Sequence, residues 1–136
     1  LAGAAEAQLP LTLRGTASSV VFTTGHDLNG DHLPDWAQLA LSGATITVYM
    51  GRTVARRTAQ RLVEAGLTAS TPVAVLENVG RSDTHRLVGT LADLETLGDE
   101  KRAESAALIV IGEAVAGLDL ARCEPITKPA PTLIAA

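Results

Sequence analysis

The stretch Ala107-Leu-Ile-Val-Ile111 decides how the rest of the chain is read. It is apolar throughout, and its last three residues are β-branched, which suits a pleated strand. A strand with water on one face alternates polar and apolar residues; one without alternation needs cover on both faces. The run therefore predicts the central strand of a sheet with helices packed on it.

Working outward, Ser18 to Thr24, Ala44 to Met50, Val73 to Glu77 opened by Pro72, and His85 to Gly89 read as four more strands. The last two, separated by the turn-rich segment Val79 to Asp83, are expected to form a hairpin. Between strands, Trp36 to Leu41 is a candidate helix capped by Asp35. Arg52 to Ala65 places Val54, Ala55, Ala59, Leu62 and Val63 at helical spacing and stops at Gly66. Thr90 to Leu97 is expected to be a short helix, and Asp99 to Glu104 a solvated segment. From Cys123 onward, Pro125, Pro129 and Pro131 argue against helix and central strand alike. The expected organisation is one α/β domain over residues 1–120, a five-stranded mixed sheet flanked by helices, followed by a Pro-rich tail over 121–136.

Composition narrows the function. At 136 residues, 46% hydrophobic and 19% charged, the chain has the balance of a folded single domain. Its only aromatics are Phe22, Trp36 and Tyr49, too few for a base-stacking platform. A net charge of −4 with no basic block longer than the pair Arg56-Arg57 argues against nucleic acid and anionic membranes as partners. The single Cys123 offers neither an intrachain disulfide nor a metal pair, which points to a cytoplasmic home. No apolar run reaches the ~20 residues of a membrane span. The chain opens at Leu1 without methionine and is expected to be a piece of a longer protein.

Self-contained chemistry finds little local support. Asp27-Leu-Asn29-Gly-Asp31 has the acid spacing of a calcium loop, but His32 and Gln38 stand where that loop needs Gly and Glu, so a solvated turn is the better reading. No Gly-x-Gly-x-x-Gly, phosphate loop or nucleophile elbow occurs, and His26, His32 and His85 are scattered, so no metal site is expected.

A set of segments in register carries more. They are Leu9-Pro-Leu-Thr-Leu-Arg14, Thr24-Gly-His-Asp27, Asp35-Trp36, Thr47-Val-Tyr-Met-Gly51, Thr71-Pro-Val-Ala-Val-Leu-Glu-Asn78, Val88-Gly-Thr-Leu91 and Ala107-Leu-Ile-Val-Ile-Gly-Glu113. Together they resemble the tetrapyrrole methylases and, within that group, the uroporphyrinogen-III C-methyltransferases, from about Ala4 to Val115. The resemblance implies an S-adenosyl-L-methionine-dependent enzyme that methylates uroporphyrinogen III to precorrin-2 for siroheme and corrinoid synthesis. It implies the C-terminal domain of that fold, with the N-terminal cofactor-binding domain missing, and a homodimer. The fragment alone is expected to be inactive.

The resemblance also implies residue roles. Arg14 matches a substrate-binding arginine; a planar guanidinium suits a ring edged with carboxylates. His26 matches a histidine that contacts the tetrapyrrole. Met50 matches a position touching both tetrapyrrole and cofactor, and Asn78 with Val79 a turn that contacts the cofactor through backbone. Two departures stand out: Leu13 where relatives commonly carry histidine, and Val79 where Gly or Ala is usual, with Gly80 one place later. No residue here is an obvious catalytic base. Two alternatives stay open, another precorrin methyltransferase and a non-catalytic oligomerisation or ligand-sensing domain of the same fold.

Overall fold

The computed structural model describes residues 1–24, 35–49, 55–95, 97 and 106–126. In chain order the elements are α1 (Ala2–Glu6), β1 (Val20–Thr24), α2 (Asp35–Leu41), β2 (Thr45–Tyr49), α3 (Ala55–Glu64), β3 (Pro72–Glu77), β4 (His85–Thr90), α4 (Leu91–Leu94), β5 (Ala107–Ile111) and β6 (Glu124–Pro125). Two 3-10 turns, Glu113–Gly117 and Leu120–Arg122, link β5 to β6.

The strands form one mixed sheet in the order β1-β2-β5-β3-β4-β6. β5 lies between β2 and β3 and is antiparallel to both, the central place its composition demands. β3 and β4 form the expected hairpin. A sixth strand adds to the five expected: Glu124–Pro125 pairs in parallel with β4, and the Ile126 N–H donates to the Val88 carbonyl at 2.8 Å. Residues expected to begin a tail are thus part of the sheet. Pro125 is tolerated because it sits on an edge strand, where a missing N–H leaves no ladder bond unmade.

The period-2 alternation of the strands sorts side chains onto two faces. On the first, Ile46, Val48, Val73, Val75, Ile109 and Ile111 meet Ala55, Ala59 and Leu62 of α3, Leu91 and Leu94 of α4, and Trp36, Ala37 and Ala40 of α2. Full burial of a side chain such as Leu62 or Leu94 stabilises by about 1.5–3 kcal/mol. α4 is fixed at its start by a capping box: the Asp93 N–H donates to the Thr90 hydroxyl, and the Thr90 N–H donates back to the Asp93 carboxylate at 2.9 Å.

On the second face the cover is the N-terminal segment and the 3-10 turn after β5. Ala4, Ala7 and Leu9 pack on Ala74, Leu76 and Val110, with Val115 and Leu118 alongside. Pro10 lies so close to Gly117 that a Cβ there would come within 2.7 Å of the proline Cγ, an approach only glycine permits. This cover stops short of β1 and the end of β2, where Phe22 and Tyr49 are 46% and 42% exposed with ring centroids 6.4 Å apart.

Candidate functional site

β1 runs parallel to β2, and β2 and β3 are each antiparallel to β5, so β1, β2 and β3 all finish at one end of the sheet. Thr24, Tyr49 and Glu77 are their last residues. This is the end at which open α/β sheets present ligand-binding loops.

A cleft of about 520 Å³ opens there on the second face. Tyr49, Leu76, Leu108 and Ala107 form its sheet side, Leu1, Ala2 and Gly3 its N-terminal wall, and Asn78, Val79 and Arg81 its rim. A volume within the range of small-molecule sites, mostly apolar walls and a few polar groups at one edge suit a ligand with a flat apolar part and a charged end.

The rim is a tight turn leaving β3. Asn78 has φ +52 and Gly80 φ +83, while Val79 between them is not in the left-handed region. The Arg81 N–H donates to the Asn78 carbonyl at 3.0 Å, which with the Gly80 angle makes residues 78–81 a type II turn. Asparagine and glycine occupy the two positions where a β-branched residue would be strained, so valine at 79 is compatible with the turn. The Asn78 N–H donates to the Ala106 carbonyl at 2.9 Å, whereas the Val79 N–H has no backbone acceptor among the described residues. That amide is available to a ligand. The Val79 side chain meanwhile packs toward Gly3, whose Cβ would lie 3.4 Å from a Val79 methyl.

Of the residues singled out in the sequence, Asn78 and Val79 line this cleft. His26 and Met50 lie outside the described residues, as does the turn expected over 27–34. Arg14 does not line the cleft. It is exposed at the tip of a loop closed by a bridge between Leu13 and Ala17, with the Leu13 N–H donating to the Ala17 carbonyl and the Ala17 N–H returning the bond, both at 2.8 Å. The loop lies on the side of the sheet where β1 and β2 begin: a Cβ on Gly43, which precedes β2, would be 3.9 Å from the Thr16 carbonyl oxygen, and the Thr45 N–H donates to the Ser19 carbonyl. Leu13 contributes backbone to the bridge, so the absence of histidine there leaves the loop closed.

Sequence reading missed Tyr49, Leu76, Arg81, Leu1 to Gly3 and Ala106 to Leu108 as cleft residues. Tyr49 carried one available signal, as the chain's only tyrosine at a predicted strand end. Among the described residues no group of His, Cys, Asp and Glu is arranged to hold a metal ion, and no helix is long and apolar enough to cross a membrane.

The family model of the tetrapyrrole (corrin/porphyrin) methylases matches residues 1–95. Over 112 residues the chain is 45% identical to siroheme synthase 2 of Aeromonas hydrophila, covering 82% of this chain and 23% of that protein. Over 113 residues it is 38% identical to an S-adenosyl-L-methionine-dependent uroporphyrinogen III methyltransferase of Methanosarcina barkeri, covering 82% and 44%. The chain thus spans under half the length of these relatives. Among solved structures, a uroporphyrin-III C-methyltransferase of Thermus thermophilus complexed with S-adenosyl homocysteine superposes with a TM-score of 0.66 at 27% identity, over 83% of this chain and 50% of that one. A cobalt precorrin-4 methyltransferase, at 24% identity and a TM-score of 0.70 over 84% of this chain and 48% of its own, shares the fold.

Proposed function

The chain belongs to the tetrapyrrole (corrin/porphyrin) methylases, and from that premise we propose that it is the C-terminal part of a uroporphyrinogen-III C-methyltransferase. In this reading the complete protein methylates uroporphyrinogen III toward precorrin-2, and this chain supplies one wall of a shared cleft. The observation that carries the reading is the cleft at the common end of β1, β2 and β3, rimmed by the Asn78–Val79 turn that the family resemblance assigns to the cofactor.

The residues present fit S-adenosyl-L-methionine. Tyr49, Leu76, Val79 and Leu108 offer an apolar slot for the adenine, and the unbonded Val79 amide offers a donor to its edge. When bound, the sulfonium supplies the methyl group. The chain's own work is alignment: a rigid rim fixes the donor, so the methyl is presented to the ring carbon without a search through orientations. The apolar walls also exclude water from that side. Met50 and His26, which follow the β2 and β1 ends in sequence, are proposed to contact cofactor and tetrapyrrole, or tetrapyrrole alone. Arg14 is proposed to hold a tetrapyrrole carboxylate, a role supported by its motif and its exposed guanidinium. Assembly as a homodimer belongs to the same proposal.

The test compares the chain alone with the complete parent protein, each incubated with S-adenosyl-L-methionine and uroporphyrinogen III and assayed by mass spectrometry. Methylated product is expected from the complete protein and none from the chain. Product from the chain alone would overturn the shared cleft, and no product from the complete protein would overturn the activity.

A further inference from the structure

Two side chains outside the cleft bind the turn that rims it. The Thr84 hydroxyl lies 2.8 Å from the Asn78 carbonyl oxygen and 2.6 Å from that of Arg81, so its single proton is shared between the first and last residues of the turn. The Asp83 carboxylate accepts a hydrogen bond from the Asn78 side-chain amide at 3.0 Å. Neither Thr84 nor Asp83 lines the cleft.

These bonds converge on a residue that needs them. Asn78 is one of two non-glycine residues with positive φ among those described, a conformation asparagine tolerates but does not prefer in isolation. Its own N–H is tied to Ala106, its carbonyl accepts from Arg81 and Thr84, and its side chain donates to Asp83. The Asn78 N–H, carbonyl and side-chain NH2 are therefore all engaged within the protein. The amide that follows it, on Val79, has no backbone acceptor among the described residues, and its direction is set by the Asn78 backbone angles.

We infer that Thr84 and Asp83 are positioning residues for the cofactor: they lock Asn78 in the left-handed conformation and so aim the Val79 N–H into the cleft. The inference rests on the reading of the cleft as the cofactor's site. It gives the β3–β4 turn a second purpose beyond closing a hairpin, since pre-setting the donor removes an ordering cost that the ligand would otherwise meet on binding.

The experiment uses the isotope-labelled complete parent protein and two readouts. The first, made without ligand, is the intraresidue amide-to-Hα nuclear Overhauser effect of Asn78, which is strong for a left-handed residue. The second is titration with S-adenosyl homocysteine, followed at the Val79 and Ala107 amides. In Thr84→Val, which keeps shape but removes the hydroxyl, the Asn78 signature is expected to weaken and the dissociation constant to rise roughly five- to tenfold; Thr84→Ser should stay within about twofold of the parent. Asp83→Ala, at an exposed side chain, is expected to show roughly a threefold loss and serves if Thr84→Val does not fold.

An unchanged Asn78 signature in the variants, or a changed signature with unchanged affinity, overturns the inference. If the unsubstituted complete protein gives no shift at Val79 or Ala107, the cofactor reading of the cleft falls instead, and the signature alone then reports whether Thr84 and Asp83 set the turn.

Discussion

The two faces of the sheet are built from the same strands but closed to different degrees. The first is sealed by α2, α3 and α4, and Ile46, Leu62, Leu91, Leu94 and Ile109 are entirely buried there. The second is covered by α1, Leu9 and the turn carrying Val115 and Leu118, and the cover stops short of β1 and the end of β2. Past that cover, Tyr49 and Phe22 are open, and the cleft lies at the boundary. Stability and candidate site are therefore divided between the faces: the sealed face holds the fold together, and the margin of the incomplete face exposes apolar surface beside the Val79 amide.

That contrast can be broken by substitution. Leu94→Ala, on the sealed face, is expected to cost about 2–5 kcal/mol in urea unfolding, whereas Tyr49→Ala at the open margin should cost under about 1 kcal/mol. Equal losses would mean that the second face is as tightly packed as the first. Gly117→Ala tests the N-terminal cover directly. Its Cβ would press on Pro10, and a loss of about 1–3 kcal/mol is expected, with faster amide exchange in residues 4–9. The smallest effect concerns Cys123, half-buried against the second face, with its thiol 3.4 Å from the Asp119 carbonyl oxygen. Burial pushes this thiol up; Arg86 opposes the shift and Asp119 adds to it. A raised value means less thiolate at any pH near neutrality, so alkylation should be slower than for a free cysteine, and the rate should climb at higher pH than in the urea-unfolded chain. A rate equal to that of the unfolded chain would show that the cover over Cys123 opens readily.

Much of this architecture was legible in the residues. β5 was placed at the sheet centre by its unbroken apolar run, and the β3–β4 hairpin by the Val79-to-Asp83 turn, because burial and turn chemistry are local and periodic. α1 escaped notice because Ala2–Glu6 is too short to show a period. β6 escaped because proline argues against a strand in general and the edge position that rescues it is a tertiary fact. Of the candidate site, Asn78 and Val79 were found through motif, while Thr84 and Asp83 act through hydrogen bonds that only the folded turn brings together. Arg14 was named through motif alone, and that its loop lies where β1 and β2 begin, a strand's length from the Asn78–Val79 turn, is a separation that a linear motif set does not carry.

The place of β5 has a consequence for how the molecule is made. β1 with β2, and β3 with β4, each pair with a near neighbour in sequence, but neither pair touches the other except through β5, which follows both. During synthesis the two halves of the sheet can gather separately, yet they cannot become one sheet until residue 111 is available. Until then the inner edges of β2 and β3 stand unpaired, open to strands of other chains. A ribosome that stalls before Ala107 holds two sticky half-sheets, and β5 is the strand that turns them into one.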